Sequence, residues 1–291
     1  MCDNHTTDDL DAALARRGLT RRQFAAMGTA AAIAACSPTD QAGATGGLAE
    51  EMVAIKTVDG IADAFFVHPA EGKHPGILMW PDVAGLRDAY KIMARRLAGA
   101  GYAVLVPNAY YRSAKAPILT SLSQWFEPES QARLKPMMER IDGKATARDA
   151  AAFATWLDEQ DAVDSERRLG TAGYCMGGAY ALRTAAAAPA RVGTACSFHG
   201  ARLVTADPDS PHLLIKDSQA RFLIAIARND DKDHPEEKDV LRKATDSAGR
   251  PAEIEVYPAD HGWCTLDAPS YDKDAAEKAW ARMLATFETG L

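Results

Sequence analysis

The chain is short of several things, and each shortage removes a class of function. It lacks an excess of basic residues: 33 Lys and Arg stand against 40 Asp and Glu, a formal net charge of −7. Phosphate binding requires a clustered basic face, and none appears, so a nucleic-acid partner is excluded. The weakly apolar run Ala25 to Ala35 is too short to cross a bilayer as a permanent helix. Cysteine is sparse, with five in 291 residues. Cys2 and Cys36 belong to the N-terminal region, which leaves Cys175, Cys196 and Cys264 in the body. That odd number cannot be satisfied by disulfides, and the body has no C-x-x-C. There is no internal repeat. What remains, 47% apolar and 25% charged residues, is ordinary composition for one large α/β domain or two small ones.

The first fifty residues differ from the rest. Thr20-Arg21-Arg22-Gln23-Phe24 resembles the twin-arginine export motif. The small-residue run behind it ends in Ile33-Ala34-Ala35-Cys36, which resembles a lipobox. Residues 1–36 therefore read as an export signal whose Cys36 becomes a lipidated first residue, and 37–50, with Gly43, Gly46 and Gly47, as a flexible tether. A plain cleaved signal is the alternative. The expected location is periplasmic or cell-envelope, with the membrane touched only through the lipid.

The body, 51–291, centres on Gly173-Tyr174-Cys175-Met176-Gly177-Gly178. An apolar run, Leu169 to Ala172, enters it, and a helical stretch, Ala179 to Ala188, leaves it. A nucleophile at such a strand-to-helix turn is exposed by a strained backbone, and flanking glycines let strand and helix approach. A cysteine there also faces the positive end of a helix, which favours a thiolate. Taken alone, the hexapeptide reads equally as a glycine-rich turn around a structural cysteine.

The surrounding pattern is α/β. Met52 to Val58 and Ala62 to His68 flank Asp59-Gly60 as a hairpin. Gly76 to Trp80 and Tyr102 to Pro107 are strands joined by a helix from Asp88 to Ala100, which implies a right-handed parallel crossover. The segment from Asn108 to Gly143 is irregular and reads either as a lid or substrate wall or as a packed satellite helix. Thr146 to Asp149 resembles a capping box. Strands follow at Val192 to Phe198, Arg221 to Ala227 and Ala252 to Tyr257, with helices at Pro235 to Ala248 and Asp272 to Phe287.

A cysteine nucleophile needs a base and a group that orients the base. Asp230 falls just beyond one strand and His261 beyond the next, in the order nucleophile, acid, histidine used by α/β hydrolases. Asp231 and Asp233 stand beside Asp230, so a solvated charge run, or Asp231 as the acid, is the competing reading. His199 and His234 also follow strands. His199 precedes the acid, and His234 lies in a charged loop, so neither is preferred.

These residues resemble the dienelactone hydrolase family. The resemblance rests on the cysteine elbow, on Arg95 to Pro107 followed by Tyr110-Tyr111-Arg112, and on His261-Gly262-Trp263, and it spans about Met52 to Phe287. It implies an α/β-hydrolase fold, a mostly parallel sheet with helices on both faces, and hydrolysis of a small ester or lactone. It also implies Cys175 as nucleophile, His261 as base and Asp230 as acid, with the N–H groups of Met176 and Val83 as oxyanion hole. Asp82 takes the place of an acidic residue that influences the thiol, and Arg112 that of a residue contacting a substrate carboxylate. Thr265 stands where a second arginine of the family would be, so half of a carboxylate clamp is missing. No metal or organic cofactor is implied, and a monomer is expected. Two other readings compete: a thiol redox or stress sensor using Cys175, and a ligand-binding lipoprotein without chemistry.

Overall fold

In the computed structural model, residues 47–291 are described. The export motif, Cys36 and nearly all of the tether lie outside the described residues. The sheet begins earlier than the sequence predicts. β1 (Leu48–Thr57) pairs antiparallel with β2 (Gly60–Pro69) through the Asp59-Gly60 turn. Leu48 to Glu50 are thus strand rather than tether, and Glu50 meets Arg95 at 2.6 Å.

β3 (Gly76–Trp80), β4 (Ala103–Pro107), β5 (Leu169–Tyr174), β6 (Val192–Phe198), β7 (Arg221–Ala227) and β8 (Ala252–Tyr257) complete an eight-stranded sheet of order β1-β2-β4-β3-β5-β6-β7-β8. From β4 to β8 all neighbours are parallel. Side chains alternate between the faces, as a two-residue period requires. Leu78, Trp80, Ala103, Leu105, Phe222, Ile224 and Ile226 enter one core. Ile77, Met79, Val104, Val106, Leu223, Ala225 and Ala227 enter the other.

The first core is covered by α3 (Gly143–Asp158), α4 (Met176–Ala187) and α7 (Glu237–Ser247), through residues such as Phe153, Leu182 and Leu241. The second is covered by α1 (Asp88–Gly99) and α8 (Lys273–Gly290), through Tyr90, Leu97, Met283 and Phe287. No helix among the described residues is long and apolar enough to cross a membrane.

The segment 108–143 takes the second of its two readings, a packed satellite helix: with a 3-10 turn (Leu122–Phe126) and α2 (Pro128–Met138) it buries Trp125, Leu134 and Ile141 in the first core. One local expectation is corrected. The predicted capping box at Thr146 to Asp149 lies inside α3. Asp142 caps this helix by accepting the Ala145 N–H at 2.7 Å, which frees Asp149 for Tyr111 and Arg112.

The chain leaves β3 toward β4 on one side and places β5 on the other. The carboxyl ends of β3 and β5 therefore bound the crevice where strand order reverses, the place where open α/β sheets bind ligands. Trp80 and Gly173 are register partners there.

Candidate active site

Cys175 lies two residues beyond that pair. Its backbone has φ 53° and ψ −121°, and it caps the N-terminus of α4. A non-glycine residue with positive φ is strained and persists only where its surroundings enforce it. They do so here through close backbone contact. A Cβ on Gly177 would lie 2.4 Å from the Trp80 carbonyl oxygen and 2.6 Å from that of Pro81. A Cβ on Gly178 would lie 2.7 Å from the Cα of Gly200. The glycines of the hexapeptide thus admit both the end of β3 and the end of β6 to the elbow.

This approach brings Val83 and Met176 together. Tyr110, buried behind them, donates its hydroxyl to the Val83 carbonyl at 2.7 Å and touches Met176 Sδ at 3.8 Å. Met176 is the first residue of α4, so its N–H has no acceptor within the helix. The turn after β3 uses its own bonds elsewhere: Asp82 N–H goes to Tyr90 Oη, Ala84 N–H to Asp82 Oδ1, and Gly85 N–H to the Asp82 carbonyl.

After the four-residue helix α5 (Pro211–Leu214) and β7, the chain turns at once into the short helix α6 (Arg228–Asp233), which carries Asp230. Its Oδ2 lies 2.7 Å from His261 Nδ1. The neighbouring Asp231 is held by Lys238 Nζ at 2.5 Å, so geometry separates the two aspartates that sequence leaves together. His261 is fixed at its main chain as well. Its N–H donates to Asn229 Oδ1 at 2.8 Å, and its carbonyl accepts from Ser270 Oγ at 2.5 Å. The ring of His261 packs against that of His199, centroids 4.9 Å apart, and His199 Nδ1 receives the Cys175 N–H at 3.2 Å. Elbow and base are one imidazole apart.

Asp82 is buried with both oxygens engaged by Arg87, at 2.7 and 2.9 Å. Arg87 in turn grips Asp267 through Nε and Nη2 at 2.8 and 2.7 Å. Burial opposes the Arg87 charge, yet the two carboxylates more than offset it and hold the guanidinium protonated well above its ordinary range. The charge expected to act on the thiol is therefore matched by a cation that the sequence reading passed over. Asp267 Oδ2 also accepts the Leu122 N–H at 3.1 Å, which ties the wall segment to the loop of His261.

Arg112 is not poised toward an anion. Nη1 and Nη2 form a bidentate pair with Asp149, both at 2.7 Å, and Asp59 Oδ2 is 2.6 Å from Nη2. Thr265 is wholly buried. None of Cys175, Cys196 and Cys264 is in a disulfide, and burial pushes the latter two well above the usual thiol range. No group of three potential metal ligands occurs among the described residues. Arg87, Asn229, Asp267 and Ser270 carry no sequence signal of their own, since their partners are set by how the loops fold together.

Comparisons with known proteins bear on the family and the fold. A Methylorubrum extorquens protein called "Putative carboxymethylenebutenolidase" is 31% identical over 288 residues, covering 94% of each chain. The carboxymethylenebutenolidase of Rhodococcus opacus is 29% identical over 222 residues, 75% of this chain and 82% of its own. The crystal structure of a dienelactone hydrolase-like promiscuous phosphotriesterase from metagenomic libraries shares the fold, with TM-score 0.68 at 21% identity over 84% of this chain and 99% of its own. The model of the dienelactone hydrolase family matches residues 62–291, and with its α/β-hydrolase sheet and cysteine elbow this chain is a hydrolase that belongs to that family.

Proposed function

We propose that this chain hydrolyses a small ester or lactone through Cys175, His261 and Asp230. The observation that carries the reading is the cysteine at φ 53°, capping the helix that follows a central parallel strand. The thiol proton passes to His261 Nε2 as sulfur attacks the carbonyl carbon. Asp230, on Nδ1, fixes the tautomer and stabilises the imidazolium. The N–H groups of Met176 and Val83 receive the developing oxyanion. The imidazolium then protonates the departing alkoxide, which leaves an acyl thioester on Cys175. His261 takes a proton from water, the hydroxide adds to the thioester, and the acid departs as the thiol is restored. The thiol proton leaves with the alcohol, and the proton that His261 takes from water restores the thiol.

The names of the relatives favour a lactone related to carboxymethylenebutenolide. Recognition through Arg112 is not part of the reading, because Asp149 and Asp59 already occupy its donors. A redox role is disfavoured, since burial keeps Cys196 and Cys264 as thiols and a resolving partner needs thiolate character. The same reading takes the chain as exported and lipid-anchored at Cys36.

The test is Cys175→Ala assayed on p-nitrophenyl acetate and on a panel of lactones with and without a carboxylate. Turnover should vanish while the circular dichroism spectrum is retained, and undiminished turnover would sink the assignment. Arg112→Ala should leave the order of preference within the panel unchanged. Selective loss of the carboxylated members would restore Arg112 as a substrate contact.

A further inference from the structure

We infer that His199 is a positioning residue, which holds the nucleophile peptide and backs the base; the inference rests on Cys175 and His261 acting as proposed above. His199 follows β6 directly, at φ 40°, and is completely buried. Such burial and backbone strain need a cause, because histidine is easily solvated and most residues avoid positive φ.

The cause lies in what residues 199–201 do to the elbow. The backbone N–H of Cys175 can only donate, so His199 Nδ1, 3.2 Å away, accepts from it beside the Phe198 carbonyl at 3.1 Å. The neutral ring then carries its proton on Nε2. Two residues on, the Ala201 N–H donates to the Cys175 carbonyl at 3.0 Å, alongside Gly178 N–H at 2.9 Å. The segment clasps the nucleophile peptide at both of its polar atoms. It can come this close only because Gly178 and Gly200 lack side chains, since a Cβ on Gly200 would lie 2.2 Å from Ser197 Oγ.

The other side of the imidazole faces the base. His261 is tilted against it at 57°, with Trp263 edge-on at 5.0 Å and Tyr174 at 6.2 Å. One ring thus sets the elbow through its nitrogen and the base through its face. His199 stays outside the proton transfers. Its role is to keep sulfur and base in a reactive geometry, where small displacements cost rate rather than binding.

The two contacts can be separated by substitution. His199→Asn keeps an acceptor near the place of Nδ1 and tolerates positive φ but removes the ring from His261, whereas His199→Phe keeps a ring against His261 and leaves the Cys175 N–H only the Phe198 carbonyl. We expect each variant to lose about three- to tenfold in kcat with KM little changed, the pattern of an interaction realised in the transition state. Alkylation of Cys175 by iodoacetamide should slow in the Phe variant and not in the Asn variant. Wild-type kcat in either folded variant, or equal alkylation rates in the two, overturns the inference. Should the Phe variant not fold, the Asn result decides alone. Cys175→Ala runs in parallel: activity surviving there refutes the nucleophile itself, whereas inactivity there with wild-type kcat in Asn and Phe refutes only the role of His199.

Discussion

Replacing Arg87 by methionine should be among the most damaging single changes outside the catalytic groups, and its size follows from the geometry. The Arg87 and Asp82 side chains are each 1% exposed and that of Asp267 is 14% exposed. The guanidinium donates four bonds to these carboxylates and a fifth to the Gly85 carbonyl at 3.1 Å. Methionine fills much of the volume and removes all five, which leaves two carboxylates that water reaches poorly. Breaking a buried ion pair from one side costs about 3–5 kcal/mol. For a domain of this size each kcal/mol shifts the melting temperature by about 2–4 °C, so a fall of roughly 6–20 °C is expected. Asp82 retains the Ala84 N–H and Asp267 the Leu122 N–H, which favours the lower half of that range. Thermal melts followed by circular dichroism at pH 7 and pH 5 provide the assay. The deficit should narrow at the lower pH, where protonation can remove an uncompensated charge. Arg87→Lys should fall between wild type and methionine, because a single ammonium cannot reproduce the fork. A methionine variant melting within 2 °C of wild type at pH 7 would refute the claim that these carboxylates depend on Arg87.

Two further outcomes follow. Iodoacetamide at pH 8 should label Cys175 in the native protein and leave Cys196 and Cys264 unmodified by peptide mass mapping, because burial raises the pKa of both. Their folded pKa values lie above the unfolded one, so the native state holds the extra protons and stability should fall as pH rises beyond about 8.5; native labelling of Cys264 at pH 8 would contradict this. For the N-terminal region, Cys36→Ala should release the protein from the membrane fraction of its host into a soluble one, and an unchanged membrane fraction would remove lipidation at Cys36.

The body of the fold was legible because its signals are local. β3, β6 and β7 begin and end where their largely apolar runs do, since a strand buried on both faces is written as a near-continuous apolar run between turns, and the edge strand β8 is legible instead from its alternation of glutamates with apolar residues. The start of α3 was misread for a reason that is equally local in appearance. Thr146 and Asp149 have capping spacing, but Asp142 takes the cap and Asp149 serves an ion pair with Arg112, a residue 37 positions away. The wall from 108 to 143 was ambiguous because its order comes from burial of separated residues, Trp125, Leu134 and Ile141, rather than from one periodic face.

The candidate site divides along the same line. Cys175, Asp230 and His261 each follow a strand end, so chain order alone proposes them. What orders them is non-local: Asn229 and Ser270 on the main chain of His261, Tyr110 beneath Val83, and Arg87 between two carboxylates. His199 shows why position in sequence misleads. Chain order argues against it as the base, because it precedes the acid. The residue just beyond β6 is nevertheless the next neighbour of the elbow, since Tyr174 and Phe198, the last residues of β5 and β6, are register partners. Strand adjacency, rather than order along the chain, brings the ring of His199 against both the Cys175 N–H and the imidazole of His261.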